Sequence, residues 1–370
     1  MASNEDTVAR LFWSAVAQRG NSVAMRRKTL GIWQGVTWRE AGEQVRAAAG
    51  ALLAHGVARG DRIAILSHNR PEWLFADFAG QSVGAIVQGI DPAEDAAAAL
   101  LASSAGVVFV ENDEQLDRVL RVRDSLPSIR GIVIFDMEGL FGFRDDSVVS
   151  FADFCAVGTQ WNSAHADAVE AAVAAGTAAD MAIITGGSSL SQQALLAHGQ
   201  ALLDLIPGEP GDDTISFRGL AGLAERCHAM LRPLLAGSVV NFAEHPDAAT
   251  FNLREVAPNV LAAPPDFFAR LRTIVDQALV ESTGSERRAV AWAMALGQRI
   301  AAHRHASRPV GLSTALQFLL ANALVLRRVR IRLGLQRARL LVAEGGALAP
   351  DLQDWCESLD IEMIAAPALG

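Results

Sequence analysis

Tyrosine is absent from the 370 residues, cysteine occurs only three times, and charged residues make up just 20% of the chain. Cys155, Cys227 and Cys356 lie far apart with no CxxC pair, which argues against a disulfide framework and for a reducing compartment. A basic excess is also missing. The formal charge is −9, and with no cationic balance to neutralise phosphates, nucleic acid is excluded as a partner. The first residues, MASNEDTVARLFW, place acidic side chains ahead of any apolar stretch, the reverse of a secretory signal. No run approaches about 20 uninterrupted apolar residues. Val260–Ala263 and the region around Leu316–Leu326 read as too short or too polar to span a bilayer. Together these absences predict a soluble, cytoplasmic protein.

What is present is a core. Hydrophobic residues make up 51% of the chain, too many for a disordered or low-complexity polymer. The length predicts two domains, or one large domain with subdomains. Thr37-Trp38-Arg39-Glu40 is a capping box, followed by Val45, Leu52 and Leu53 at helical spacing and by Gly56 as a stop. Arg62–Leu66 reads as a strand, Pro71 as the first turn of a helix through Trp73 and Phe75, and Val107–Val110 and Ile132–Phe135 as strands around a helix near Leu116–Ser125. Strand-helix-strand units predict an α/β fold with mixed or parallel sheets covered by helices. The pattern weakens over Phe151–Ala179, which predicts a boundary between a first region, 1–179, and a second, 180–370. In the second, Met181–Ile184, Ser238–Phe242, Val260–Ala263 and Arg339–Ala343 read as strands.

Several strings, in order, resemble the AMP-forming acyl-CoA synthetases, in particular the long-chain fatty acid branch of the adenylate-forming superfamily. They include Gly60-Asp61-Arg62-Ile63-Ala64-Ile65-Leu66, Asn69-Arg70-Pro71-Glu72-Trp73, Val107-Val108-Phe109-Val110-Glu111, Leu220–Arg226 with Pro233–Glu244, Val256–Leu271 and Arg332–Asp351. The resemblance implies a large N-terminal α/β domain, here without the small mobile C-terminal domain. It also implies a reaction that passes through an acyl-adenylate to a coenzyme A thioester.

The chemical motifs carried over by this resemblance are eroded. The family's phosphate loop, approximately TSGTTGxPKG, corresponds to Thr185-Gly186-Gly187-Ser188-Ser189-Leu190-Ser191-Gln192-Gln193-Ala194. Glycines and hydroxyls remain at the front, so Thr185, Gly186, Gly187, Ser188 and Ser189 are the remnant phosphate-binding candidates. Proline and lysine have become Gln192 and Gln193; losing the cation removes a contact worth roughly 1.5–3 kcal/mol. Leu190, at a position expected to need positive φ, is expected to add about 1–2 kcal/mol of strain. In the PLAHxxER segment Gly219 and Gly222 stand for proline and histidine, while Glu225-Arg226 persists as a salt bridge or a site element. Asp266 stands where VPRxxEK carries arginine. The adenine strand, SGAAP in the family, reads Ala343-Glu344-Gly345-Gly346-Ala347. Gly345 and Gly346 are thus remnant nucleotide candidates, and Glu344 brings bulk and negative charge where a base approaches the backbone. At the YGxTE position Pro367-Ala368-Leu369-Gly370 puts leucine for tyrosine.

Since one positioned electrostatic donor is worth on the order of 10²–10³ in rate, the expectation is a degenerate homologue. No catalytic residue is assigned and no metal site, since His303 and His305 have no third ligand at helical spacing. The expected role is an acyl-binding or protein-interaction scaffold, with a fatty acyl chain or an intact acyl-CoA synthetase as partner. The alternative is a divergent but active fatty acid–CoA ligase or adenylation half-reaction enzyme, which alone would bring in ATP, Mg and coenzyme A. The Arg327, Arg328, Arg330, Arg332, Arg337 and Arg339 series reads either as a solvated helix face or as a peripheral membrane contact.

Overall fold

The computed structural model describes residues 6–243, 245 and 248–367. The chain divides into two compact units, one of Met1–Gly211 and Ser216–Ala243 and the other of Asp212–Ile215 and Glu244–Leu369.

The first unit begins with α1 (Val8–Arg19), the hairpin β1 (Val23–Thr29) and β2 (Ile32–Thr37), and α2 (Trp38–Ala54). There follow β3 (Arg62–Leu66), α3 (Pro71–Val83), β4 (Ile86–Ile90), α4 (Ala96–Ser103), β5 (Val107–Val110), α5 (Asp113–Val122), β6 (Gly131–Ile134), β7 (Val148–Ser150), α6 (Phe151–Ala164) and α7 (Ala168–Ala174). Then come β8 (Met181–Thr185), β9 (Ser188–Ser191) and α8 (Gln192–Leu205). After β10 (Asp213–Ser216) the unit resumes with α9 (Leu223–Arg226), a π turn over Cys227–Leu231, α10 (Arg232–Ala236) and β11 (Val239–Phe242).

Local chemistry accounts for the helix starts. Thr37 forms the full capping box with Glu40, Pro71 sits in the first turn of α3 where it gives up no helical hydrogen bond, and Asn112, Ser150 and Ser191 each accept from an amide three residues on. The main sheet has the order β7-β6-β5-β3-β4-β8-β9 and is parallel except for β9. Its middle strands are apolar at every position from Ile63 to Leu66 and from Val107 to Val110, all fully buried, as strands covered on both faces require. A smaller sheet pairs β1 in parallel with β11 and antiparallel with β2.

The stretch 151–179, expected to be a boundary, is two helices. Its small residues are what let α6 lie against α2: a Cβ on Gly158 would collide with the Ala47 carbonyl oxygen and the Ala51 amide, and Asn162 donates to the Arg46 carbonyl at 2.9 Å. Alanine richness here reflects close helix packing. The main sheet also runs across residues 179 and 180 to include β8 and β9, whereas the compact units divide after Gly211.

The second unit holds α11 (Ala249–Val256), β12 (Val260–Ala263), α12 (Pro265–Val280), α13 (Gly284–His305), α14 (Leu312–Ala321), α15 (Arg327–Leu333), β13 (Leu340–Glu344), α16 (Pro350–Ser358) and β14 (Glu362–Ala366). Its sheet, β12-β13-β14, is parallel throughout. By sequence the region around Leu316–Leu326 is too short or too polar to span a bilayer. The structure differs: a π turn over Asn322–Leu326 joins α14 to α15 in one helix, Leu312–Leu333, of 22 residues. Among the described residues it alone is long and apolar enough, by length and composition, to cross a membrane.

The packing of α6 on α2 yields a prediction. Gly158→Ala is expected to lower stability by roughly 1–3 kcal/mol through overpacking, read as a lower denaturant midpoint at unchanged slope. An unchanged midpoint would mean the two helices do not need their close approach.

Candidate functional site

In open α/β sheets ligands bind outside the carboxyl ends of the strands, where the strand order reverses. Here the chain steps from β3 to β4 on one side and then returns to β5 on the other, so the reversal flanks β3. Beyond this edge lie Glu111 after β5, His68-Asn69-Arg70 after β3, Asp91 after β4 and the Thr185-Gly186-Gly187 turn after β8. Asn69 anchors the segment that follows β10: its amide donates to Ser216 Oγ at 2.8 Å and to the Arg218 carbonyl, and its carbonyl accepts from Leu220 N–H at 2.8 Å. The Thr185 hydroxyl donates to the Ala221 carbonyl at 2.9 Å. Gly219 backs directly onto the Asp91 carboxylate, which fills the place a side chain would take.

Gly186 and Gly187 form a two-residue hairpin with φ of 53° and 77°, a primed turn that only residues free of a Cβ enter readily. No heavy atom stands within 4 Å of the place a Cβ would take on either glycine, so the turn projects into open space. Ser188 and Ser189 are exposed and belong to β9, with Thr185 opposite Ser188. Leu190 is not strained: it lies in β9 opposite Ile183, outside the positive-φ residues. The expected penalty vanishes because the chain turns at the two glycines and is extended again by Leu190.

The N-terminus of α8, the natural place for a phosphate, is already satisfied. Gln192 N–H donates to the Asp180 carbonyl at 2.8 Å, Gln193 N–H to the Ala178 carbonyl at 2.9 Å and Ala194 N–H to Ser191 Oγ at 3.2 Å. Cations nearby are likewise engaged. Glu72 pairs with Arg70 at 2.9 Å and with Arg27 at 2.6 Å, and Glu225 with Arg218 at 3.1 Å. Burial pushes the Glu72 carboxyl up, but Arg70 and Arg27 outweigh it and hold it below the usual carboxylate range. The chain holds one lysine, Lys28 in β1. This scarcity was legible in the sequence and bears directly on phosphate binding.

Gln192, the residue read against the family's proline, does structural work that its sequence position does not reveal. Its side chain is buried, accepts from Val8 N–H at 3.0 Å and donates to Gln81 Oε1 at 2.7 Å. Gln81 in turn donates to Asp77 Oδ1 at 3.1 Å. Asp77 faces Arg226 at 3.5 Å, both side chains fully buried, and the Arg226 guanidinium lies over the Trp73 ring, 4.8 Å from its centroid. Burial raises the Asp77 carboxyl despite Arg226. Glu225 and Arg226 therefore do not form a salt bridge with each other: Glu225 turns to Ser216 and Arg218, Arg226 to Asp77. Successive residues on a helix point about 100° apart, which explains the separation.

His68 is half-buried and its Nδ1 meets Glu111 Oε2 at 2.7 Å. The hydrogen bond to Glu111 raises the His68 pKa against the opposing effect of burial. Burial raises Glu111, and the bonds from His68 overcome it, so its carboxyl lies below 4.5.

In the second unit Glu344 is buried at the end of β13, and Gly345, with φ of 83°, and Gly346 follow with open space around them. Asp266 lies in the first turn of α12 and pairs with Arg270 at 3.2 Å. A carboxylate there suits the helix dipole, so the sign change has a local structural reason. His305 meets Glu357 at 2.9 Å, and among the described residues no three of His, Cys, Asp and Glu gather to hold a metal ion. Of the segment read against YGxTE, Ala368, Leu369 and Gly370 lie outside the described residues.

A family model for AMP-binding enzymes matches residues 12–365. The chain belongs to the AMP-binding enzyme family. It is 24% identical over 373 residues to the long-chain-fatty-acid–CoA ligase ACSBG2 of Rattus norvegicus, covering 96% of this chain and 55% of that protein. With ACSBG1 of Homo sapiens the identity is 23%, covering 98% and 52%. The chain thus spans about half the length of the curated relatives it matches. Among solved structures, acetoacetyl-CoA synthetase from Streptomyces lividans superposes with a TM-score of 0.65 at 16% identity, over 98% of this chain and 51% of that one. A putative long-chain-fatty-acid CoA ligase from Rhodopseudomonas palustris gives 0.64 at 18%, over 96% and 74%. These likenesses place the α/β fold of this AMP-binding chain with the large domain of the adenylate-forming enzymes.

Two predictions test this geometry. Asp77→Ala is expected to cost about 3–5 kcal/mol by stranding the buried Arg226 charge, with the paired change Asp77→Leu and Arg226→Met recovering most of it. Equal loss in single and double variants, measured by denaturant unfolding, would refute coupling. For His68 the folded pKa exceeds the ordinary 6.5. Its contribution is therefore complete below pH 6.5 and lost as pH rises through the raised value, while that of Glu111 is lost as pH falls below 4.5. His68→Gln should flatten the alkaline decline in stability, and a variant with the wild-type slope would refute the pairing.

Proposed function

We propose that this AMP-binding chain is a degenerate relative of the long-chain acyl-CoA synthetases, one that keeps the scaffold without the adenylation chemistry and serves as an acyl-binding or protein-interaction scaffold. The observation that carries the reading is the amide accounting at α8. All three leading N–H groups donate within the protein, and Gln193 occupies the family's lysine position in a chain whose one lysine is elsewhere. A triphosphate approaching the Gly186-Gly187 turn meets serine hydroxyls and two glycine amides but no free cation among the groups described around it. The residues at hand do not fit a Mg-nucleotide. Partners consistent with this reading are a fatty acyl chain and an intact acyl-CoA synthetase.

One observation favours a second reading. Space is open around the Cβ positions of Gly186 and Gly187, leaving room for a phosphate held by Thr185–Ser189, as a divergent ligase or half-reaction enzyme would require.

Thermal melting separates the two. A ligand at 100 times its dissociation constant adds about 2.7 kcal/mol, a few degrees in Tm. Mg-ATP is expected to leave Tm unchanged, and a long-chain fatty acid to raise it. A Mg-ATP shift abolished by Gly187→Val, together with pyrophosphate release, would overturn the degenerate reading. With neither ligand active, recovery of an intact synthetase on co-purification supports the scaffold role, and failure to recover one counts against it.

A further inference from the structure

The helix Leu312–Leu333 carries two apolar faces. Ala321, Leu326, Val329 and Leu333 form the inner stripe, all buried, with Ala321 and Leu326 packed with Ala293 and Leu296 of α13. The step of five from Ala321 to Leu326 falls on the π turn, whose i→i+5 bonding keeps the stripe continuous. The outer face is also apolar: Leu312 is 91% exposed, Leu316 62%, Leu319 63%, Leu320 52% and Leu324 59%. A surface helix of a water-facing protein carries polar residues there.

Charge distinguishes the end of this face. The helix has four arginines and no Asp or Glu. Arg330 is turned inward, donating to the Leu359 carbonyl at 2.7 Å and to Asn322 Oδ1 at 2.6 Å. Beyond the helix Arg337 pairs with Asp213 and Arg339 with Asp212. Arg327, Arg328 and Arg332 are exposed and, among the described residues, form no ion pair. Beside them a cleft of about 460 Å³ is lined by Leu279, Val290, Leu324 and Ile331, with Arg328, Arg332 and Glu286 among its walls. A cationic end in a chain of net charge −9 selects an anionic occupant.

We propose that this outer face, Leu312 to Arg332, docks on an anionic lipid bilayer, lying in the headgroup plane with its leucines in the acyl boundary and Arg327, Arg328 and Arg332 on lipid phosphates. An interfacial helix combines an apolar face with cationic residues in this way. The inner stripe is already packed on α13, so the helix lies on the membrane and does not cross it. A second copy of the chain would offer the same arginines and no helix carboxylate to meet them. Docking of this face depends neither on nucleotide binding nor on the scaffold role above.

Flotation of the full chain with vesicles tests it. Binding is expected to vesicles containing phosphatidylglycerol, not to phosphatidylcholine alone, and to weaken at high salt as the surface field is screened. Each arginine removed should lower partition about fivefold, and R327Q/R328Q/R332Q together about a hundredfold. L316Q/L320Q/L324Q should abolish binding while melting as cooperatively as the parent. Absence of flotation with phosphatidylglycerol would overturn the proposal, as would flotation undiminished in the arginine variant. A dimer by light scattering that the leucine variant dissociates, without vesicle binding by the parent, would overturn it in favour of a contact between copies. Should a variant not fold, the parent's salt dependence decides: binding insensitive to salt overturns the arginine role.

Discussion

Two charges with no water around them, Asp77 and Arg226, set the terms for the first unit. Removing an ion from water costs several kcal/mol even after relaxation, and here the compensation is partial: beyond their 3.5 Å ion pair, Asp77 Oδ2 and the two terminal nitrogens of Arg226 make no hydrogen bond. Gln81 bonds the Asp77 carboxylate, Gln192 bonds Gln81, and the amide of Val8 bonds Gln192. Leu220 accepts from Arg226 Nε at 3.1 Å, and Trp73 covers the guanidinium face. One connected polar chain thereby ties α1, α3, α8 and α9 together behind the sheet. The start of α8 is fixed as a result, and with it the short turn at Gly186-Gly187.

This constraint bears directly on the stretch 185–194. A loop that grips phosphates keeps amides in reserve and a cation at hand. Here the amides of Gln192, Gln193 and Ala194 are committed to Asp180, Ala178 and Ser191, and the Gln192 side chain works inside the protein. The central strands answer to a different constraint, volume. The strands Ile63–Leu66 and Val107–Val110 are buried on both faces, where any change of volume is felt.

The fold was largely legible because its signals are local. The capping box at Thr37, Pro71 in a first turn, and the continuous apolar strands at 62–66 and 107–110 each declare their element within a few residues. Three features were hidden because they depend on partners distant in sequence. The alanine-rich 151–179 segment takes its meaning from the glycine contact between α6 and α2. Glu225 and Arg226 are neighbours in the chain yet belong to different networks. Leu190 escapes strain only because β9 pairs with β8. The candidate site was readable as the glycine- and serine-rich string 185–189. That its helix amides were already committed required the backbone of 178–194.

The π turn at Asn322–Leu326 sets the direction in which the arginines of α15 face. Such a turn holds one residue more than the α repeat allows, through i→i+5 bonding. Compared with an uninterrupted α-helix, every side chain downstream of it is rotated by about 100° around the axis relative to the leucine face upstream. Deleting one residue from the turn would swing Arg327, Arg328 and Arg332 by about 100° around the axis relative to Leu316 and Leu320, so chain length at this point, as much as side-chain identity, decides where the cationic end faces.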